Sequence, residues 1–351
     1  MSTLLKNRKA LAAVLIAVIA VSITGVAAYA WVNTQRSTQQ NYVVALLFFK
    51  TGQMRIVSQA PSITEIVFGL GLEDYLVGCT EYCDYPPKLT ELIAAGRVNN
   101  ELSWWNPSTE AIVALSPTIV LLDSGVGAQV QIYNSLISQG IAAFLVSKGN
   151  SINEIETSIL QLGSFFERSS KAQELVNAME TKIDTIEGNV SGQTKVDVLF
   201  CVWISFDQTY GGVYTCGNNT FLSEIVNKSG GLNVYYDSVD PWPFVTLADA
   251  ASKNPDVIII SDHSALLDPN EIRTQMADSP LNTTDAYKNG DVYFTQQQAD
   301  NLFMRAGPRV AEAVELLAHL LHPSLFGDTI PDWFVVNNTN YQDFLSSLIL
   351  E

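Results

Sequence analysis

The stretch from Arg55 to Pro87 reads RIVSQAPSITEIVFGLGLEDYLVGCTEYCDYPP, and it decides the fold class. A short apolar run, RIVS, precedes Ser62 and Glu65, which have the spacing of a capping box and predict a helix over 62–72. A second β-rich run, YLVGC, follows the helix. Strand, helix and strand in this order predict a parallel βαβ unit and therefore an α/β fold.

The same alternation continues on both sides of a long helical stretch. Residues 152–187 are compatible with helix, with a break near Ser169 and Ser170, and Ser151 with Glu154 forms a second capping box. The sequence therefore predicts a first lobe at 54–168, a connecting helix at 169–190 and a second lobe at 191–351. Further strands are predicted at TIVLL, IAAFLV, VDVLFCV, DVIII and VYF, and helices at STEAIVAL, AQVQIYNSLISQG and FLSEIV.

The two predicted lobes share one detail. Trp104, Glu110 and Pro117 are separated by six and seven residues, and the same separations lead from Trp242 through an alanine to Pro255. Each proline directly precedes a predicted strand. We expect two lobes of similar build with a cleft between them, where ligands commonly bind.

The N-terminus predicts export. Basic residues at 6–9 precede an uninterrupted apolar stretch at 10–32, long enough to cross a hydrocarbon core of about 30 Å. The basic flank should stay cytoplasmic, which leaves the rest of the chain outside the cell. Residues 1–32 are predicted as a retained transmembrane anchor, with a cleaved signal peptide as the alternative. Residues 33–53 are predicted as a linker, with a strand of uncertain placement at Val43–Phe49.

The composition excludes several classes of function. A chain of 351 residues that is 47% hydrophobic can bury a large core, and its net charge of −17 argues against nucleic acid or an anionic membrane surface as the main partner. G-x-S-x-G, H-E-x-x-H and P-loop motifs are absent from the sequence. We expect a binding protein rather than an enzyme, without catalytic residues, cofactor or resident metal.

Four cysteines form an even set in a compartment where disulfides persist. They are predicted to pair as Cys79 with Cys83 and Cys201 with Cys216, with free thiols and a metal site as alternatives. Their spacing matches no common zinc or iron–sulfur pattern. Glycosylation sequons, which agree with an exported surface, start at Asn189, Asn218, Asn227, Asn282 and Asn337.

Aromatic residues are concentrated in the segments expected at the rim of the cleft. Rings with a polar edge suit a broad, partly polar ligand, although core packing is the alternative for each of them. Polar and turn residues flank Trp104, Trp105 and Trp242, which favours the cleft. The predicted ligand-binding aromatics are Tyr82, Tyr85, Trp104, Trp105, Trp203 and Trp242.

The quoted stretch, followed in order by STEAIVALSPTIVLL, GGLNVYYDSVDPWPFV, NPDVIIIS and RAGPRVAEAVELL, resembles the substrate-binding proteins of ATP-driven importers. The resemblance covers about residues 54–322 and is greatest to the cobalamin-binding members of the helical-backbone group. It implies two Rossmann-like lobes joined by a rigid helix. It also implies a monomer that delivers its ligand to an ABC permease and its ATPase.

Residue by residue, the resemblance implies ligand contacts for Tyr82, Trp104 and Trp242, and a weaker one for Tyr85. It implies that Glu110 docks onto an arginine of the permease. The second-lobe docking acid should fall at position 248, where this chain has alanine, with Asp249 beside it. Glu110 also suits the first turn of a helix because of the helix dipole.

The ligand itself is left open between two groups. Some cobalamin binders place a tryptophan where this chain has Asp123, so a ferric siderophore or haem is the alternative to a corrinoid. A cluster-bearing reductase, which would need cysteines on a metal, and a surface adhesion or sensor domain are rival functions. A carboxylate at 123 is expected in the pocket in either ligand case.

Overall fold

The structure is a computed structural model that describes residues 41–147, 149–207, 209–262 and 266–350. The first sheet has five parallel strands in the order β3-β2-β1-β4-β5. Its strands are β1 Ile56–Ser58, β2 Leu76–Thr80, β3 Asn99–Leu102, β4 Ile119–Asp123 and β5 Ala142–Val146. The helices of this lobe are α1 at 41–50, α2 Pro61–Gly69, α3 Pro87–Ala94, α4 Thr109–Ala114, α5 Gly127–Ser138 and α6 Ile152–Phe165.

The second sheet is mixed. Parallel strands run in the order β12-β11-β10-β6, and β7 and β9 continue the sheet antiparallel, while β8 pairs with the start of β6. Its strands are β6 Val196–Ser205, β7 Gly212–Thr215, β8 Gly231–Asn233, β9 Phe244–Val245, β10 Val257–Asp262, β11 Val292–Gln296 and β12 Val335–Val336.

Helices cover this second sheet as well, so that both sheets have the layered α/β arrangement predicted from the sequence. The helices are α8 Phe221–Lys228, α9 Leu247–Ser252, α10 Pro269–Ala277, α11 Asp285–Asn289, α12 Gln297–Met304, α13 Val310–Leu321 and α14 Pro323–Phe326. Apart from the run at Val43–Phe49, the strands that the sequence analysis expected are all present among these elements.

One helix, α7 at Ser169–Val190, lies between the two lobes. Its 22 residues span about 33 Å at 1.5 Å per residue. It packs against α6 and α13, and Lys182 on its buried side forms an ion pair with Glu315 of α13. A continuous hydrophobic core therefore runs from the first lobe through α7 into the second.

The segment 41–50 corrects the predicted strand at Val43–Phe49. It is helical, and its Tyr42 hydroxyl donates to the carbonyl oxygen of Ala143 at 2.7 Å. Phe49 packs edge-on against Tyr75 at a centroid distance of 5.4 Å. A short apolar run fits a strand or a buried helix equally well, and packing against the first lobe decides for the helix.

The predicted capping box at Ser62 and Glu65 is also wrong. Helix α2 begins at Pro61 after an Ala60 cap that makes no side-chain hydrogen bond. Glu65 is instead fully buried in an ion cluster described below. At the second predicted capping box the Ser151 cap is confirmed, because its hydroxyl accepts from the backbone N–H of Glu154 at 3.1 Å, while Oε2 of Glu154 accepts from the backbone N–H of Asn150 at 3.0 Å.

No helix within the described ranges is both long and apolar enough to cross a bilayer. The predicted anchor at 10–32 and residues 33–40 of the predicted linker lie outside those ranges.

Candidate ligand-binding site

A cavity of about 590 Å³ lies between the two lobes. Its lining is mostly apolar, and both lobes contribute aromatic rings. The lining residues are Pro61, Ser62, Tyr82, Trp104, Trp105, Asp123, Gly125, Val126, Val202, Phe221, Trp242, Asn301, Phe303, Met304, Arg305 and Ala306. Broad apolar walls with a few polar atoms are typical of a site for a large, partly polar small molecule.

The first-lobe wall is a cluster of three aromatic rings. Trp104 lies edge-on to Tyr82, with centroids 6.0 Å apart, and its centroid is 4.6 Å from that of Trp105. The buried amide of Gln129 donates to the carbonyl oxygens of Gln59 at 2.8 Å and Trp104 at 3.0 Å. Gln129 thereby holds the tryptophan loop against the end of the sheet, so the wall is positioned before a ligand arrives.

The Gln129 amide also positions Asp123 in the cavity lining. The backbone N–H of Asp123 donates to Oε1 of Gln129 at 2.8 Å, and Oδ1 of Asp123 accepts from the backbone N–H of Gly125 at 2.7 Å. Asp123 ends β4, so its side chain reaches the lining at the carboxyl end of a parallel strand. Ligands of open α/β sheets bind at this end.

The second-lobe wall carries Trp242 on the loop that leads into β9 and α9. This loop is fixed by backbone contacts: Gly217 N–H donates to Pro241 O at 2.9 Å, and Thr215 N–H donates to Pro243 O at 3.1 Å. A Cβ atom at Gly217 would lie 2.0 Å from the carbonyl oxygen of Asp240. Only glycine allows this approach, which sets the position of Trp242.

A largely buried ion cluster lies at the wall of the cavity and joins the two lobes. Oε1 of Glu65 in α2 accepts from Nη1 of Arg305 at 3.1 Å and from Nη2 of Arg309 at 2.9 Å. Arg305 also pairs with Asp84 at 2.8 Å and donates to the carbonyl oxygen of Tyr82 at 3.0 Å. Burial raises the pKa of Asp84, but the adjacent Arg305 guanidinium outweighs it and keeps that pKa below its ordinary value.

Five of the seven predicted ligand-binding residues lie in the lining of this cavity. They are Tyr82, Trp104, Trp105, Asp123 and Trp242. The aromatic wall is thus brought together from both lobes, as the internal repeat of tryptophan, helix and strand predicted.

Tyr85 is not in the lining, which corrects its predicted ligand contact. Its side chain is buried, its hydroxyl donates to the carbonyl oxygen of Leu350 at 2.7 Å, and the Arg309 guanidinium lies 3.8 Å from its ring centroid. The hydroxyl and one face of the ring are therefore occupied by the protein itself. Burial raises the pKa of this phenol above its ordinary range.

Trp203 is a second correction. It lies on β6 with its ring exposed, next to Tyr214 at 6.0 Å and Phe244 at 6.4 Å between centroids. Its neighbour Val202 is the β6 residue that reaches the cavity. Side chains alternate along a strand, so Trp203 faces the other side of the sheet.

All four cysteines are buried free thiols, so neither predicted disulfide is formed in this structure. The thiols do lie in the predicted pairs: Cys79 and Cys83 are close enough to shift each other's pKa, and Cys201 lies near Cys216 across β6 and β7. Cys83 also contacts the hydroxyls of Thr64 and Thr80 at 3.3 Å. Disulfide formation stays a prediction. No cluster of three or more metal-ligating side chains occurs in the described part of the chain.

The two predicted docking acids differ in their surroundings. Glu110 is exposed in the first turn of α4, where its own backbone N–H and the Ser108 hydroxyl, 3.0 Å away, lower its pKa. Asp249 is in the first turn of α9, and its Oδ2 accepts from the Tyr235 hydroxyl at 2.6 Å. Position 248 is alanine, and the neighbouring Asp249 does not have the surroundings that Glu110 has in the first lobe.

Sequence reasoning missed the contribution of α12. Asn301, Met304 and Arg305 line the cavity from the end of this helix, 60 residues beyond Trp242. No spacing or composition marks them, since they follow an ordinary strand. Gln129 was missed for the same reason, and its role depends on contacts with residues that are distant in sequence.

Comparison with known proteins agrees with this architecture. The periplasmic binding protein family model matches residues 56–299. An ABC transporter substrate-binding lipoprotein of Bacillus subtilis, YvrC, is 29% identical over 273 residues, which are 78% of this chain and 81% of the relative. A vitamin B12-binding protein of Salmonella typhimurium is 28% identical over 207 residues, which are 59% of this chain and 72% of the relative.

Solved structures share the fold at lower identity. The periplasmic vitamin B12 binding protein of Vibrio cholerae has a TM-score of 0.59 at 22% identity, over 77% of this chain and 97% of the other. The periplasmic haem binding protein of the same organism has a TM-score of 0.65 at 20% identity, over 77% and 99%. Because the family model matches well over half of the sequence, the chain belongs to the periplasmic binding protein family.

Proposed function

We propose that this protein captures cobalamin or a similar corrinoid outside the cell and delivers it to the permease of an ABC importer. The observation that carries the proposal is the cavity between the lobes, whose aromatic walls come from both sides. A corrin is a broad ring system with polar substituents, and flat indole and phenol rings offer it a large contact area at little entropic cost. The vitamin B12-binding relatives support the same choice.

Haem is the second candidate, and a specific observation favours it. Tyr82 and Met304 both line the cavity, and tyrosine and methionine are side chains that ligate haem iron in proteins. Haem-binding proteins also share the fold. If Tyr82 ligates iron, then Tyr82→Phe should abolish the charge-transfer absorption of bound haem.

The direct test is titration of the purified full chain in detergent with cyanocobalamin, haemin and a ferric siderophore, followed by tryptophan fluorescence. Three of the lining residues are tryptophans, so a bound chromophore should quench the signal. Saturable quenching by cobalamin at one ligand per chain supports the proposal. Saturation by haemin alone, with no response to cobalamin, would replace the corrinoid with haem.

Docking to the permease is proposed to use the first turn of α4. Glu110 is exposed there and is kept ionised by its hydrogen bonds, which suits a charge pair with an arginine. Localisation at the outer face of the membrane, through the apolar stretch at 10–32, is part of the same proposal. Protease digestion of intact cells should remove the lobes if the orientation is correct.

A further inference from the structure

We propose that the outward face of helix α1 lies on the lipid bilayer and holds one end of the first lobe against the membrane surface. This inference rests on the membrane attachment that is part of the proposed function, and it adds a second contact to the predicted anchor at 10–32. Four apolar side chains that are exposed on α1 carry it, namely Val43, Val44, Leu47 and Phe48.

The opposite, inward face of α1 is fixed to the first lobe. The side-chain amide of Asn41 donates to the carbonyl oxygen of Ile137 at 3.0 Å. Tyr42 packs edge-on against Phe165, with ring centroids 5.5 Å apart. These contacts hold the helix at 41–50 in one rotation about its axis, and they thereby determine which of its side chains point away from the lobe.

The outward face of α1 has no polar side chain. Its four side chains are between 37% and 58% exposed, and their spacings of one and four residues place them in one continuous stripe. Every residue from 43 to 49 is apolar. A helix that is apolar on all sides is normally covered on all sides, either in a protein core or in a membrane. The described part of the chain covers α1 on one side only, so its outward face calls for a second apolar partner.

The position of α1 in the chain identifies that partner as lipid. Eight residues, 33–40, separate α1 from the predicted anchor at 10–32, and eight extended residues span at most about 28 Å. The beginning of α1 therefore stays close to the bilayer surface. Apolar helix faces in that position enter the boundary between headgroups and acyl chains to a depth of about 5–10 Å. An uncharged face suits zwitterionic lipid, and the net charge of −17 disfavours an anionic surface.

A second copy of the chain fits the outward face of α1 less well. A stable protein interface buries roughly 800 Å² on each partner, and four partly exposed side chains fall well short of that area. Lipid does not need so large an area. The anchor keeps α1 beside the bilayer, so the contact forms within one tethered molecule at a high effective concentration.

The proposed contact lies at the end of the first lobe that is remote from the cavity. α1 is bonded to Ala143, near the start of β5, whereas Asp123 at the end of β4 lines the cavity. Because β4 and β5 are parallel, these positions mark opposite edges of the sheet. Membrane contact through α1 and delivery from the cavity thus use different ends of the lobe, and the small contact has to be reversible.

The experiment measures the depth of α1 in phosphatidylcholine vesicles that contain the full chain. A nitroxide label on Val44→Cys collides with oxygen, which concentrates in lipid, and with a nickel chelate, which stays in water. The four native thiols are buried, so the label reacts with the introduced cysteine. Val130→Cys is the matched control, because Val130 is also a helical valine of the first lobe and, like Val44, is 40% exposed. We expect the ratio of oxygen to nickel collisions to be about fivefold higher at 44 than at 130.

Variants at Leu47 test the outward face itself while the label stays at 44. Leu47→Glu should lower the collision ratio to the value found at 130, because a carboxylate opposes entry into lipid. Leu47→Gln should lower it by a smaller factor, and Leu47→Met, which remains apolar, should preserve it. Leu47 is more than half exposed, so urea unfolding should be almost the same for all three variants.

The outcomes separate this inference from the proposed attachment. If the chain floats with the vesicles but the label at 44 meets nickel as often as the label at 130, the anchor stands and the inference is overturned. Shielding of the label from both reagents would mean that protein covers the face, which also overturns it; dipolar broadening would identify a second copy. Failure of the chain to float overturns both the attachment and the inference. Cobalamin binding is tested separately by the fluorescence titration.

Discussion

The two lobes present the same sequence of tryptophan, short helix and strand, but they differ in what the helix offers to solvent. In the first lobe, α4 exposes Glu110. In the second lobe, α9 has Ala248 at the matching position, and the acid beside it accepts a hydrogen bond from Tyr235. The inward-facing tryptophans match while the outward-facing acids do not. The two lobes are thus alike in the tryptophans that line the cavity and differ in the acids at the start of α4 and α9.

The largest expected effect concerns how the lobes are joined. Glu65→Ala should lower the free energy of unfolding by about 3–5 kcal/mol, because it leaves the buried guanidinium group of Arg309 without its carboxylate and leaves Arg305 with Asp84 alone. Urea unfolding followed by circular dichroism measures this. Glu110→Ala, which removes an exposed acid of the same lobe, is the control and should leave stability almost unchanged. A loss near 1 kcal/mol for Glu65→Ala would instead fit a helix cap.

The second expected effect is a pH dependence of stability that arises from buried Glu312 and contrasts with exposed Glu110. Burial raises the pKa of Glu312 in α13 to about 7 from 4.5, whereas the pKa of exposed Glu110 is lowered. Between these two pKa values the folded state holds a proton that the unfolded state releases. The contribution of Glu312 to the free energy of unfolding is therefore fully present below pH 4.5 and is lost as the pH rises to about 7.

The expected size of that pH effect is on the order of 3 kcal/mol. Urea unfolding of the wild type and Glu312→Gln at pH 4.5, 6 and 7.5 measures it, since the glutamine keeps an oxygen for the Ile349 N–H without titrating. The wild type should lose stability relative to the variant over this window. Parallel curves for the two proteins would contradict a raised pKa.

The third prediction tests whether Trp104 and Trp242, which occupy matching positions in the two lobes, contribute equally to ligand binding. Trp104→Ala and Trp242→Ala should each weaken binding of cobalamin by about 1–3 kcal/mol, as the loss of a stacked ring does. Trp203→Ala serves as the control outside the cavity and should leave binding unchanged. Fluorescence is altered in these variants, so calorimetric titration is the measurement. A loss of 3–5 kcal/mol in stability instead would place the altered ring in the core.

The smallest effect concerns docking. Glu110→Ala should weaken association with the permease by roughly fivefold at most, with reduced salt dependence, because an exposed charge pair contributes little. Asp249→Ala should have a smaller effect, since its carboxylate is engaged by Tyr235. Ligand-stimulated ATPase activity of the reconstituted transporter measures both. Equal losses for the two variants would restore symmetrical docking.

Much of the fold could be predicted because its signals are local. Apolar runs of four to six residues alternating with helical periodicity identified the α/β units, and Ser151 with Glu154 marked a helix start that the structure confirms. Local signals failed where distant residues decide. Glu65 has the spacing of a capping residue, but its partners lie 240 and 244 residues away.

The candidate site was predictable only in its aromatic part. Tryptophans flanked by turn residues, as at Trp104 and Trp242, stand out in a sequence because they fit no core pattern. Asn301 follows a strand and carries no motif, and Arg305 begins a segment of the family resemblance that did not mark it as a cavity residue, so only the assembled lobes place both in the lining. Tyr85 has the same flanking prolines and acids as a rim residue, and its burial depends on Leu350, at the other end of the chain.

Each sheet is built from one unbroken stretch of sequence. Division of the chain within α7 would therefore be expected to give two fragments that fold independently. The hydrogen bond from Tyr85 to Leu350 rules out so simple a division, since it fastens the final residues of the second half onto the first. A Cβ atom at Gly69 would come within 3.2 Å of Leu350, which shows how closely that seam is packed. Fragments produced as antigens or as ligand traps would lose this contact, which only the continuous polypeptide preserves.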